Sequence, residues 1–345
     1  MVQPVRPNAE NADAPNRYTP EVLYRAAHLY YLEDATQAEI AVILGTSRPT
    51  VSRLLAEARA TGIVRIEVRD PSLGSSAELA RALERALGLR AAYVTTKSTG
   101  PQLGPVLAGS VSQALGAAAM RAGDALLVSS GATLHAIAQQ SLPSLPGVLV
   151  VPTVGGIDEP AEYYQTNEIT RTVGVKVHGT PVLLYAPLLP SAKLFRVLLE
   201  DESTRRVTSL WTHARVALLG IGAPLRTRQF RPSVLASHDE VLASAVGDIC
   251  ARPFDSDGHP LTFPGSDRLV AMALDDLVRI PHTIGVAVGA DKLPAILAAI
   301  RAGWINTLVT DVPTARALLD LESLASGPPP NAQPSSGSDG LVVSS

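Results

Sequence analysis

The stretch over 36–69, TQAEIAVILGTSRPTVSRLLAEARATGIVRIEVR, restricts the fold more than any other part of the chain. Residues 37–44 read as a short helix with Ile40, Ile43 and Leu44 on one side, the spacing of a buried helical face. Gly45 supplies a tight turn. Ser47 then caps a second helix, because its hydroxyl can accept from first-turn amides that have no other partner. Pro49 fits that first turn, since the N–H it lacks would have had no acceptor there. Val51, Leu54, Leu55 and Ala58 form the apolar stripe of the second helix, and Arg48, Pro49, Ser52 and Arg53 its polar side.

Two short helices joined by a glycine turn, the second polar at its start, spell a helix-turn-helix. In that motif the second helix enters the major groove of DNA and its first residues meet base edges. Arg48 and Arg53 can fork onto guanine acceptors or pair with phosphate. Gln37, Ser47 and Thr50 are placed as phosphate anchors, with Pro49 and Ser52 completing the exposed face. Between Gly45 and Arg65, four arginines (48, 53, 59 and 65) face the single acid Glu57, a local charge of +3. The whole chain of 345 residues carries −3, so any attraction to nucleic acid must be local to this segment. The alternative for the residues alone is a helical hairpin with a solvated charged face.

The string from Thr36 to Val68 resembles the N-terminal domain of SorC-type (DeoR/CggR-like) sugar-responsive transcription regulators. TVSRLL followed by GIVRIEV carries most of the likeness.

With 46% hydrophobic and 18% charged residues, the composition is that of a soluble globular protein of two domains. Cys250 is the only cysteine, which leaves no disulfide framework and no cysteine-rich metal site, and neither a metal nor a cofactor is expected. No apolar run has membrane-spanning length and the first residues lack a secretion signal, so a cytoplasmic location is expected.

In chain order, residues 1–17 read as disordered and 18–70 as the DNA-binding domain. Its first helix carries Leu23, Ala26, Ala27, Tyr30 and Tyr31 under the helix-turn-helix. Ile63, Val64, Ile66 and Val68 suggest a wing strand. Residues 71–89 read as a linker and a packing helix, offering a dimer surface, since one recognition helix needs a second copy for the other half-site. From 90 to 322, apolar runs (AAYVTT, DALLVSS, VLVVPTV, VLLYAP, VALLGIG, IGVAVG) alternate with helical stretches. That is an open, mostly parallel α/β domain, whose ligands sit beyond the carboxyl ends of the strands. Residues 323–345 read as a disordered tail.

Strand ends carry the binding candidates. Ser130, Gly131 and Thr133 lie at a strand-to-helix turn, where free amides and hydroxyls can hold an anion or sugar. Gly155 and Gly156 allow close backbone approach, and Asn167, Asp248 and Lys292 stand near other strand ends. LLGIG, AVGDICARPFDSDG and the segment 280–311 resemble the effector domain of the same family, so the likeness spans roughly residues 20–320. The resemblance implies a fold related to sugar-phosphate isomerases and deaminases, usually a tetramer, in which a sugar or sugar phosphate controls affinity for double-stranded operator DNA. It implies that Ser130, Gly131 and Thr133 hold the phosphate or sugar end while Gly155, Gly156, Asn167, Asp248 and Lys292 line the rest. Phosphosugar-binding members carry a basic residue before the Gly-Gly pair, where this chain has Val154, which makes a neutral sugar or polyol an option. The competing reading is an isomerase or deaminase-like enzyme with a DNA-binding head. His178, His213, His259 and His282 form no recognisable acid–base pair and there is no Walker A sequence, so no turnover is expected.

Overall fold

A computed structural model of the chain describes residues 18–64, 73–95, 103–157, 165–224, 240 and 242–325. The expectations for residues 1–17, the wing at Ile66 and Val68, and most of the tail (326–345) lie outside these. The chain divides after Asp70 into two compact units.

In the first unit, α1 (Pro20–Tyr31), α2 (Gln37–Ile43) and α3 (Arg48–Ala60) close on one core of Leu23, Ala26, Ile40, Val51, Leu54, Leu55 and Ala58. α1 starts with Pro20 at its first position, where no amide is missed. Thr36 and Glu39 form a reciprocal capping box on α2: the Glu39 amide donates to Thr36 Oγ1 (3.3 Å) and the Thr36 amide to Glu39 Oε2 (2.8 Å). Those bonds hold the Glu39 carboxyl below its usual pKa range, the Thr36 amide contributing most. Gly45, at φ +61°, makes the turn, and Ser47 caps α3 by accepting from the Thr50 amide (3.4 Å). Ile63 and Val64 pack against the same core.

One expectation fails here. Ile43 is 50% exposed, and Ala41 occupies the buried place instead. At about 100° per residue the inward arc of α2 is centred between Ile40 and Ala41, which turns Ile43 onto the far shoulder. The Thr36 cap yields a direct test. Thr36→Ala is expected to lower the melting stability of the head by about 1 kcal/mol, read by thermal denaturation, with an unchanged melt contradicting the capping role.

The second unit is built on a seven-stranded sheet whose strands are β1 (Ala91–Thr95), β2 (Ala125–Val128), β3 (Leu149–Pro152), β4 (Thr180–Pro181), β5 (Val216–Gly220), β8 (His282–Val286) and β9 (Thr307–Asp311). Their spatial order is β1-β9-β8-β5-β2-β3-β4, and every neighbouring pair is parallel. β6 (Gly247–Ile249) and β7 (Arg252–Phe254) form a separate antiparallel hairpin. Alternate residues of the strands feed two cores: Leu127, Val151, Ala217 and Leu219 one face, Leu126, Val128, Val150 and Leu218 the other. Burial on both faces explains why these strands read as unbroken apolar runs.

The helices are α4 (Leu73–Leu87), α5 (Leu103–Ala117), α6 (Ala132–Ala138), α7 (Thr166–Lys176), α8 (Ala192–Glu200), α9 (Glu202–Ser209), α10 (Leu274–Leu277), α11 (Leu293–Arg301) and α12 (Val312–Ala325). α4 lies on β1 and α12 and sends Leu83 into the core, so the packing helix belongs to this unit.

The run VLLYAP does not form the expected strand. Pairing stops at Thr180–Pro181. Val182 still donates to the Val150 carbonyl (2.8 Å), but the Leu184 amide is taken by the Asn167 side chain (3.0 Å). The expected runs also left out β9 and the β6–β7 hairpin. β9 carries Thr307, Thr310 and Asp311 among its apolar residues, all of them buried. The hairpin turns on Cys250 and Ala251, at φ +52° and +57°, without the Asn or Gly that usually announces such a turn.

The order of the strands fixes where a ligand can enter. From β2 the chain moves outward to β3, and from β5 it moves the opposite way to β8. β2 and β5 are neighbours, so the winding reverses between them and leaves a crevice beyond their carboxyl ends.

Candidate functional site

On the head, burial of Val51, Leu54, Leu55 and Ala58 turns the opposite side of α3 outward. Arg48, Pro49, Ser52 and Arg53 are all exposed, and Ala56 and Arg59 continue the strip. Ser47 and Thr50 stand at the start of the same helix with their hydroxyls 2.8 Å apart. Arg48 shares a shallow groove with Thr36 and Gln37, at the amino end of α2. Helix amino ends and arginines together favour phosphate.

In the α/β unit, β2 ends at Val128 and Gly131 precedes α6 with φ +125°, a conformation that L side chains avoid. A Cβ at Gly131 would meet nothing within 4 Å, so this turn faces open space. The amides of Ala132, Thr133 and Leu134 are first-turn amides and have no intrahelical acceptor. Thr133 is half-buried beside them. Ser129, the first of the small residues in this turn, is buried and acts as a clip. Its hydroxyl accepts from the Gly220 amide (2.9 Å) and donates to the Ser130 carbonyl (3.3 Å), tying the ends of β2 and β5 together.

Asp248 is carried to the same place by the hairpin. The Gly222 amide donates to the Asp248 carbonyl (2.9 Å) just past the end of β5. The approach is tight, since a Cβ on Gly247 would stand 2.6 Å from the Gly222 oxygen. Lys292 lies in the 3-10 turn that follows β8, and its amide bonds to the Gly289 carbonyl (3.2 Å). Gly289 in turn donates to Thr314 Oγ1 (2.9 Å), and Asp311 at the end of β9 accepts from the Thr314 amide (3.0 Å). The ends of β2, β5 and β8 are adjacent in the sheet, and beyond them stand Ser130 and Gly131 in the turn after β2, Thr133 in the first turn of α6, Asp248 in β6 beside the segment after β5, and Lys292 in the 3-10 turn after β8.

Three other expected lining residues are engaged by the protein itself. The Gly155 amide donates to the Val270 carbonyl (2.8 Å) and the Gly156 amide to the Ala186 carbonyl (2.7 Å). A Cβ on Gly155 would lie 2.6 Å from the Ala186 oxygen, so the close approach that glycine permits is to residues 186–187 of the chain. Asn167 spends both ends of its carboxamide on the Leu184 backbone, donating to the carbonyl and accepting from the amide at 3.0 Å each. These residues shape the wall beyond β3.

Behind the rim, Trp211 Nε1 donates to the Pro152 carbonyl (2.8 Å). Arg252 donates to the carbonyls of Met272 (2.8 Å) and Ala271 (2.9 Å), and burial lowers its pKa from the usual guanidinium value. Burial pushes the Cys250 thiol up to about 12, which makes it a packing group and not a nucleophile. Val154 is buried and bridged to Ala271, so the place before the Gly-Gly pair presents no cation.

A helix-turn-helix head joined to a parallel α/β domain that is open at its switch point defines a ligand-controlled DNA-binding protein. The comparisons agree. The sugar-binding domain family matches residues 72–320 and the MarR family matches residues 21–72. The deoxyribonucleoside regulator of Bacillus subtilis (strain 168) is 33% identical over 88% of this chain and 99% of its own length. The sorbitol operon regulator of Klebsiella pneumoniae is 30% identical over 86% of this chain and 97% of its own. The crystal structure of full-length SorC from Klebsiella pneumoniae superposes with a TM-score of 0.70 at 28% identity, covering 87% of this chain and 98% of that one. The chain belongs to the SorC-type family of sugar-binding transcriptional regulators. Among the described residues no helix is long and apolar enough to cross a membrane.

Proposed function

We propose that a sugar, polyol or sugar phosphate occupies the crevice between the ends of β2 and β5 and sets the affinity of the head for its operator. The first-turn amides of α6 and the hydroxyls of Ser130 and Thr133 hold one end of the ligand, and Asp248 and Lys292 address the remainder. The supporting observation is the reversal of strand order at β2 and β5, where Gly131 opens onto free space. Gln37, Ser47, Arg48, Pro49, Thr50, Ser52 and Arg53 form the DNA-reading face, Arg48 and Arg53 meeting base edges or phosphate, Gln37, Ser47 and Thr50 anchoring phosphate, and Pro49 and Ser52 completing the exposed side. Two or four copies present paired heads to a two-part operator, a tetramer being a dimer of dimers. The ligand controls DNA binding through its unequal affinity for the two arrangements of the heads.

The crevice binds and does not turn its ligand over. His178, His213 and His282 each lie just before a strand or at its first residue, at the amino ends of β4, β5 and β8, away from the rim. His213 Nδ1 is 2.9 Å from the Ser209 carbonyl, and His259 stands beside Asp255 in the exposed loop after β7. His178, His213 and His282 therefore lie at the opposite ends of their strands from a ligand at the carboxyl ends, where an acid–base group would have to stand.

A thermal-shift screen of sugars, polyols and their phosphates tests the reading. A true effector at a hundred times its Kd stabilises the native state by about 2.7 kcal/mol. Thr133→Val is expected to weaken that ligand about tenfold by loss of one hydrogen bond, while DNA affinity without ligand stays unchanged. A screen in which no compound moves the melt, or a variant that keeps full affinity, contradicts the assignment.

A further inference from the structure

We infer that the cavity between β7 and the segment 260–269 is a second small-molecule site, which takes a zwitterion with an apolar body, the class of an aliphatic α-amino acid. The chain builds this cavity by doubling back twice after β7. The Asp255 carboxylate accepts from the amides of Asp257 (3.0 Å) and His259 (2.8 Å) and turns the first corner. Pro260 then stands across from Phe254, and the Leu261 amide donates to the Pro253 carbonyl (2.8 Å). At the second corner the Phe263 amide donates to Ser266 Oγ (3.2 Å) and the Ser266 amide to the Phe263 carbonyl (2.9 Å). The enclosed space is about 200 Å³. Pockets for drug-sized ligands run to about 300–1,000 Å³, so this one suits a small metabolite.

The lining selects the occupant. Pro253, Leu261, Phe263 and Leu269 make the walls apolar, and two charges of opposite sign, Arg252 and Asp267, line the same space. Arg252 is half-buried. Its Nε and Nη2 donate to the carbonyls of Met272 and Ala271, which leaves Nη1 without an acceptor among the described residues. Asp267 is exposed, and nothing among the described residues bonds to its carboxylate. The two do not pair with each other, and neither forms an ion pair with any other described residue. A carboxylate set against the Arg252 fork gains charge-assisted bonds stronger than those to neutral carbonyls. An ammonium group does the same for Asp267. The apolar walls strengthen both contacts by lowering the local dielectric. A plain carboxylate would leave Asp267 uncompensated beside it, and a plain amine would leave Arg252 so. Both ends are answered together only by a molecule that carries both charges.

None of the lining residues belongs to the set proposed for the crevice. Pro253 is the register partner of Asp248 across the hairpin. The cavity therefore lies along β7, while the crevice is served by β6, and binding here does not depend on the effector reading.

Isothermal titration of the full chain tests it, with L-leucine, isocaproate (leucine without its amine) and isoamylamine (leucine without its carboxylate) as probes. L-leucine is expected to fill one site per chain. Each analogue is expected to bind at least about tenfold more weakly, since each gives up a charged hydrogen bond. Asp267→Asn, at an exposed position, is expected to keep the wild-type melt, weaken L-leucine about tenfold and bring it level with isocaproate, a pattern that loss of structure could not produce. Thr133→Val is expected to leave L-leucine binding at its wild-type strength, because the crevice is a different site. No heat from L-leucine, analogues that match it, an Asp267→Asn chain that still prefers it to isocaproate, or weaker L-leucine binding by Thr133→Val would overturn the proposal.

Discussion

Phe254→Ala is expected to cost the α/β unit about 3–5 kcal/mol, the usual penalty for emptying a buried aromatic site. Phe254 is fully buried and meets Trp304 edge-on, with ring centroids 4.9 Å apart at 66°. The position lies in β7, whose partner β6 delivers the Asp248 carbonyl to the Gly222 amide. Gly247 packs against the same ring, 3.5 Å from Phe254 Cζ to the place a Cβ would occupy. Removing the ring therefore loosens the hairpin that shapes one side of the crevice. Denaturant titration of the α/β transition should show the loss, and ligand affinity should fall with it. A cost below about 1 kcal/mol would mean that the cavity collapses without strain and that the hairpin is not anchored through Phe254.

The second large effect concerns DNA. Arg48→Ala combined with Arg53→Ala is expected to reduce specific operator affinity by about 1–3 kcal/mol per arginine, with no loss of thermal stability. Both side chains are exposed, so neither supports the core beneath α3. The single variants separate the two jobs an arginine can do. A base contact costs affinity mainly on the correct sequence, whereas a phosphate contact weakens all sequences and lowers the salt slope by about one. Unchanged affinity in the double variant would remove α3 from the reading surface.

The helix-turn-helix was legible because its determinants are local. The stripe Val51, Leu54, Leu55 and Ala58 and the caps at Thr36 and Ser47 each depend on neighbours within four residues. The strands of the central sheet were legible as apolar runs because both of their faces are buried. Other features depend on distant partners. Gly155 reads as a site of close approach in either case, and nothing near it in sequence distinguishes a ligand from the backbone of Ala186 and Pro187. Asn167 is bound by Leu184, seventeen residues away, and Ser129 by Gly220, ninety-one residues away. β9 escaped notice because its threonines break the apolar run, and only the fold reveals that Thr310 Oγ1 is satisfied by the Ala287 carbonyl (2.7 Å). For the candidate site, the residue types and strand ends were visible, but the order of the strands was not. Nor were the bonds that engage Gly155, Gly156 and Asn167 with Val270, Ala186 and Leu184, which set them apart from Ser130, Gly131 and Thr133 at the neighbouring strand end.

The most direct test of the central claim is fluorescence anisotropy of the full chain on promoter fragments from its own locus. The titration is run across a salt series, with and without the compound that gives the largest thermal shift. Coupling between crevice and head predicts that log affinity falls linearly with log salt and that the compound moves operator affinity about 5–150-fold in one direction. Salt-insensitive binding, or operator affinity unmoved by a compound that saturates the α/β unit, would contradict it.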